Sequence, residues 1–397
     1  MTEVSTMTSS CPDGRISQSN TSFRRTSTSI SASTIPWAEK YRPKMLNDIT
    51  QDENIISLFK NYIKTKNMSH LLLYGPPGTG KTSTIRALGR ELFKEQFATR
   101  VIEFNASDDR GINAVREKIT GEARKLSTEA TSIDGTVIPA FKIIILDEAD
   151  AMTDEAQDAL RVIIEQYSGV TRFCFICNYI SKITDAIKSR CSKIYFKKLT
   201  TECMITKLNE IAASENMELE ENILKTIIEV SNGDMRKAIA ILQDLKYLYS
   251  YKKTLNKNIS EMSMPELQLV STIGIKNSIS SKITPTDICN IAAFIDLNHA
   301  TKIINHVMKL TNIISINAYT KDVIAMGFPT DTILTQLNKA LLKHPDITDI
   351  QKAHIFKYTA SIFYKIKECG NEYIQLLDYL SCVSGITRGR QTASAYS

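Results

Sequence analysis

Between residues 53 and 65 the apolar positions Ile55, Ile56, Phe59, Tyr62 and Ile63 recur at the spacing of one helical face, which predicts an amphipathic helix. The run that follows, Leu71 to Tyr74, is short, continuous and apolar, the pattern of a strand buried on both sides. Further runs of this kind occur at Val101 to Phe104, Ile143 to Leu146, Phe173 to Ile176 and Ile194 to Phe196, with helical segments between them. Strands that alternate with helices predict a parallel sheet covered on both faces, so residues 35–199 read as one α/β domain. After Leu199 the strand signals fade and helical periodicity takes over. Residues 200–252 predict a small helical domain, the polar stretch 253–263 a linker, and 264–385 an all-helical domain.

Composition adds the ends of the chain and removes some classes of function. Residues 1–34 hold 17 Ser or Thr and almost no large apolar side chain, so a disordered tail is expected there. Residues 386–397, rich in Ser, Thr and Arg, read as a second loose tail. No apolar stretch approaches the ~20 residues of a membrane-spanning helix, and no membrane partner is expected. The cysteines are scattered with no secretory segment ahead of them, which predicts reduced thiols in an intracellular compartment. Cys174 and Cys177 form a CxxC, but without a second pair or a His cluster to complete a zinc site they read as packed strand residues. A net charge of +6 suits a polyanion partner without demanding one.

The densest chemical signal is Gly75-Pro76-Pro77-Gly78-Thr79-Gly80-Lys81-Thr82, placed directly after a predicted strand and before a helical run. Its glycines let backbone N–H groups converge on phosphates, and the helix start adds the positive end of its dipole. Lys81 is expected to bridge the β and γ phosphates of ATP, and the Thr82 hydroxyl to ligate Mg2+. The strand Ile143 to Leu146 runs into Asp147 and Glu148, whose side chains strand alternation points in opposite directions. Asp147 is the expected Mg2+ holder, through water, and Glu148 the base that polarises the attacking water. Asp147 to Asp150 spell Asp-Glu-Ala-Asp, yet a helicase of that type needs a second α/β motor, and the remaining chain reads as helical. Asn178 ends the next strand, where an amide fits between the γ-phosphate and the water. Arg190, in Ser189-Arg190-Cys191, and Arg236, in Gly233-Asp234-Met235-Arg236, are candidate phosphate arginines. Spacing alone does not say which active site each one serves.

Together with Pro36 to Pro43, Phe104 to Ile112, Asp147 to Thr153 and Thr171 to Tyr179, these motifs resemble the replication factor C small subunits, a clamp-loader branch of the AAA+ ATPases. The resemblance runs from about Pro36 to Val383. It implies a P-loop AAA+ parallel-sheet domain, a small helical lid and a C-terminal all-helical collar that joins subunits into a heteropentameric ring. By the same resemblance Tyr41 and Arg42 border the adenine, Asn178 is sensor 1, Arg236 is the sensor 2 arginine, and Arg190 enters the site of the neighbouring subunit. The implied partners are the other loader subunits, a sliding clamp and primer-template DNA.

DNA tracked by its backbone asks for basic groups without base specificity, and Arg86, Arg110, Arg116 and Lys118 are the candidates. Gln157 and Arg161, at i and i+4, are implied to couple DNA contact to the ATP site, with Val162 standing where relatives often carry another arginine. Phe93 and Phe97 read either as core or as a tip that meets the clamp. The resemblance leaves two alternatives to an active loader subunit: a nucleotide-binding but catalytically silent scaffold, and another AAA+ DNA-remodelling ATPase. It implies a nuclear location for a cellular protein, and the host nucleus or a cytoplasmic viral factory for a viral one.

Overall fold

The strands are β1 (Leu71–Tyr74), β2 (Val101–Asn105), β3 (Ala130–Thr131), β4 (Val137–Ile138), β5 (Lys142–Asp147), β6 (Thr171–Cys177) and β7 (Ser192–Tyr195). The computed structural model describes residues 35–106, 112–125, 128–133, 135–260, 283–368 and 370–388, with the backbone alone for 112–116 and 252–260. The expected tail 1–34 and most of 386–397 therefore lie outside the described residues.

Five strands pair in parallel in the order β2-β5-β6-β1-β7. Alternation along them sends Leu71, Leu73, Ile143, Ile145 and Cys174 to one face, where they pack with Phe59 of α2 (Glu53–Thr65) and Ile85 and Leu88 of α3 (Lys81–Phe93). Leu72, Ile144, Leu146, Phe173 and Phe175 take the other face, against Ile119 of α5 (Ile112–Arg124) and Leu160, Ile163 and Ile164 of α6 (Asp154–Tyr167). Both faces are covered, as the apolar runs predict. Each such side chain contributes about 1.5–3 kcal/mol relative to exposure. Helix α2 keeps the predicted bounds because Asp52 caps its start, accepting from Asn54 N at 3.1 Å, and Lys66 leaves it in a left-handed conformation.

The antiparallel pair β3 and β4 is absent from the expected elements. Strands of two residues are too short for an alternation to be legible. Phe93 belongs to the core: it is fully enclosed and edge-on to Phe141, with ring centroids 5.7 Å apart. Phe97, on the short α4 (Phe97–Arg100), is half-buried beside Gly89 and carries the Arg90 guanidinium 5.2 Å above its ring.

Beyond the sheet, α8 (Thr201–Ser214), α9 (Glu221–Ser231) and α10 (Met235–Ser260) share one apolar core. Two neighbours join that core from outside the expected boundaries. Trp37, from the short α1 (Trp37–Lys40), packs into it and donates its backbone N–H to Gln243 Oε1 at 2.9 Å. Ile288 and Cys289 of α11 (Pro285–Ile291) also pack here, and the C-terminal core begins only at Ile295. The polar stretch expected as a linker continues α10 through Ser260, since 252–260 contains neither Gly nor Pro to stop a helix. Helices α12 (Leu297–Lys309), α13 (Ile313–Ala325), α14 (Thr330–Lys343), α15 (Asp349–Lys367) and α16 (Glu372–Thr387) enclose the remaining core, including Ile303, Leu337, Ile355 and Tyr379.

Candidate nucleotide site

The loop between β1 and α3 turns where only glycine fits. Gly75 has φ +142°, and a Cβ there would stand 2.2 Å from Phe196 O. At Gly78, φ is +70° and a Cβ would lie 1.8 Å from Asp234 Oδ1, so the helical lid touches the loop itself. These turns deliver Lys81 to the first position of α3, at the positive end of the helix dipole. The Lys81 side chain is buried and its Nζ donates to Gly75 O and Pro76 O at 2.8 Å each and to Asn178 Oδ1 at 3.1 Å. Burial draws this ammonium below the ordinary lysine pKa, against the Asp147 charge that raises it.

Beside it, Thr82 Oγ1 donates to Asp147 Oδ2 at 2.8 Å, and Asp147 Oδ1 accepts from Glu148 N at 2.9 Å. The strand ends at Asp147. Glu148 has φ +55°, so a left-handed turn rather than strand alternation aims its exposed side chain. Backbone strain of this kind, about 1–3 kcal/mol, persists only where surrounding contacts impose it. Asn178 is set by a residue that had no assigned role: Asp150 Oδ2 accepts the backbone N–H groups of Asn178 and Tyr179 at 3.3 Å each. Lys81, Thr82, Asp147, Glu148, Asn178 and Arg236 line one polar cleft.

An adjoining, more apolar cleft shares Gly78 to Gly80 and Arg236 and is walled by Tyr41, Arg42, Ile49, Met235 and Ile239. Tyr41 is anchored through its hydroxyl, which donates to Glu215 Oε1 at 2.6 Å and accepts from Ser214 Oγ at 2.9 Å. Burial, then the nearby Arg86 charge, holds the Arg42 guanidinium below its ordinary pKa. Asp234 is the other residue missed. Its Oδ1 receives Arg236 N at 2.8 Å and Lys237 N at 3.2 Å, and so fixes the start of α10 beside the loop. The signal was present in Gly233-Asp234-Met235-Arg236, because an Asp just before a helical run is an N-cap signature. An apolar cleft that shares its loop with a polar, amide-rich one can hold a base on one side and a triphosphate on the other.

The remaining expected residues lie apart from these clefts. Arg190 follows α7 (Asp185–Lys188), lines neither cleft and pairs with Glu165 of α6. Arg86 is paired with Glu103, its Nε at 2.8 Å and its Nη2 at 2.6 Å from Oε2. Lys118 is exposed on α5; Arg110 lies outside the described residues, and of Arg116 only the helical backbone is described. Gln157 is fully enclosed: Nε2 donates to Met152 O at 3.3 Å and Lys182 O at 3.0 Å, and Oε1 accepts from Thr184 N at 2.8 Å. Arg161, one turn on, is exposed, as is Val162, so spacing did not give the pair one environment.

Residues 71–199 match the model of the ATPase family associated with various cellular activities, 206–246 that of the RCF1/5-like AAA+ ATPase lid domain, and 298–382 that of the replication factor C C-terminal domain. A protein of Acanthamoeba polyphaga mimivirus, named as a replication factor C small subunit, is 59% identical over 359 residues, covering 90% of this chain and 99% of that protein. Replication factor C subunit 2 of Schizosaccharomyces pombe is 38% identical over 351 residues, covering 88% of this chain and 94% of that protein. Human replication factor C subunit 4 is 36% identical over 353 residues, covering 89% and 88% respectively. A glycine-rich loop between a strand and a helix, a helical lid whose Asp234 abuts it and a C-terminal helical domain thus agree with full-length similarity, and the chain belongs to the replication factor C small-subunit family, the ATPase subunits of the clamp loader in DNA replication.

Proposed function

We propose that this chain binds Mg2+ and ATP in the paired clefts, hydrolyses ATP within a heteropentameric ring, and uses the cycle to open a sliding clamp and load it onto primer-template DNA. The observation that carries this reading is the convergence of Lys81, Thr82, Asp147, Glu148 and Asn178 on one cleft beneath a lid bearing Arg236.

In this reading Tyr41 and Arg42 border the adenine. The loop amides and Lys81 hold the phosphates, with Lys81 exchanging its own-chain carbonyl partners for phosphate oxygens. Glu148 accepts the proton of a water whose oxygen attacks the γ-phosphorus as the bond to the β-phosphate oxygen breaks, leaving ADP and phosphate. Asn178 orients that water, and Arg236 steadies the phosphates from the lid. The Thr82 hydroxyl and Asp147 carboxylate form a hard oxygen pair 2.8 Å apart, a donor set that fits Mg2+. When bound there, Mg2+ would supply positive charge against that of the triphosphate. Arg190 serves the neighbouring subunit's nucleotide, and Gln157 and Arg161 relay DNA contact to this chain's own site. Arg86, Arg110, Arg116 and Lys118 follow the DNA backbone.

The C-terminal helices join this subunit to its sister subunits in the same reading. The place of work is where DNA is replicated: the nucleus of a cell, or the host nucleus or viral factory for a viral chain. Reconstitution with partner subunits tests the reading. ATP turnover should rise when primed DNA and clamp are added together. Turnover indifferent to both would defeat clamp loading while leaving the ATPase assignment intact.

A further inference from the structure

Arg190 is not a loose surface side chain. Its Nε donates to Glu165 Oε1 at 2.8 Å, and its Nη2 donates to the same oxygen. Its Nη1 donates to Ala186 O at 2.7 Å and to Ser189 Oγ at 3.2 Å. A guanidinium has five N–H donors, so these contacts leave one hydrogen of Nη2 for an acceptor outside the chain. An unheld arginine surrenders up to about 2 kcal/mol of rotamer freedom when it is fixed in place. Here much of that ordering is complete before any partner arrives.

We infer that Glu165 is a positioning residue for Arg190, setting the direction in which the guanidinium meets the triphosphate bound by a neighbouring subunit. The inference rests on the reading of Arg190 as an arginine acting in trans. Two elements share the task. Helix α6 supplies the carboxylate that grips the Nε–Nη2 edge, and α7 supplies the carbonyl that stops rotation about it. The Glu165 side chain is half exposed, and a surface pair contributes at most about 1 kcal/mol to folding. Its weight therefore falls on geometry, where a misplacement of about an ångström costs up to about 10²-fold in rate.

The test uses the assembled loader and single-turnover ATP hydrolysis with Glu165→Ala, Glu165→Gln, Arg190→Ala and the double variant Glu165→Ala/Arg190→Ala. Glu165→Ala should slow the chemical step by roughly 10- to 10²-fold with the KM for ATP unchanged. Glu165→Gln should recover part of the loss, because its amide oxygen still accepts from Nε or Nη2. In the Arg190→Ala background, removing Glu165 should cost nothing further. A wild-type or faster rate for Glu165→Ala beside a slow Arg190→Ala would overturn the positioning role and leave the trans reading standing. Additive losses in the double variant would also overturn it. Full activity of Arg190→Ala would instead remove the trans reading on which the inference is built.

Discussion

Lys81 and Arg190 are both cations assigned to a triphosphate, and their surroundings differ at almost every point. Lys81 is 7% exposed, begins a long helix, and takes its partners from a loop five and six residues back and from the end of an adjacent strand. Arg190 follows a helix of four residues, sits at the surface, and is held by a carboxylate 25 positions away. The first is desolvated by its own chain, which strengthens its interaction with phosphate and removes its freedom. The second is oriented but left open to solvent, so its electrostatic contribution develops only when another surface excludes water around it. In the proposed reading, the contrast separates what one chain completes alone from what assembly supplies.

The largest expected effect lies on the self-contained side. Lys81→Ala should abolish ATP binding or turnover, while Glu148→Gln should keep binding and slow hydrolysis. Equilibrium nucleotide binding read beside turnover checks both, and full turnover in either variant would remove the assigned roles. On the open side, Arg190→Ala should leave this subunit's own ATP affinity intact and lower hydrolysis at the neighbouring subunit's site by about 10³-fold. An isolated chain that turns over ATP at the full DNA-stimulated rate would erase the distinction between the two cations.

The same distinction governs how much could be read from residue order. The site around Lys81 was legible because a phosphate loop is a local device: its glycines, lysine and hydroxyl are consecutive, and flanking periodicity announces the strand and helix that hold them. The five paired strands and α2 were legible for the same reason. Glu165 and Asp150 were not singled out, since a carboxylate's partner across a fold leaves no periodic trace; Asp234, whose partners are the next turn's N–H groups, was passed over although its capping signature was present. The boundary at Phe294 and Ile295 was hidden too. Both sides of it are helical and apolar, and only packing decides that Ile288 joins the lid while Ile303 joins the C-terminal core.

Gln157 and Arg161 repeat the contrast one helical turn apart, and they give the next prediction in size. The Gln157 amide ties the loop after the acidic residues to the turn that leads into α7, filling three backbone hydrogen bonds without solvent. Gln157→Ala should cost about 2–4 kcal/mol of stability, since each buried group left unpaired costs about 1–3 kcal/mol. Arg161→Ala should fall within about 0.5 kcal/mol, the range of ordinary surface changes. Denaturant unfolding of the two variants decides the matter; equal losses would mean that Gln157 is not the tie its contacts describe.

An effect that is nil at neutral pH and grows only as the pH falls probes the other end of the sheet, where the frame rather than the chemistry is at stake. His70, just before β1, accepts the backbone N–H of Phe173 through Nδ1 at 3.1 Å, so a neutral ring is what joins the start of β1 to β6. Burial, and then the Arg172 charge, push its pKa down from 6.5 to about 4. The folded state therefore resists a proton that the unfolded chain accepts. Stability from this group is full above pH 6.5 and declines as the pH falls towards 4, by at most roughly 1.4 kcal/mol per pH unit. His70→Asn retains an acceptor and does not titrate. Unfolding midpoints followed from pH 7 to pH 4 should then show the wild-type protein losing stability relative to the variant across that window. Parallel curves would mean that the frame beneath the nucleotide loop draws no stability from a neutral His70.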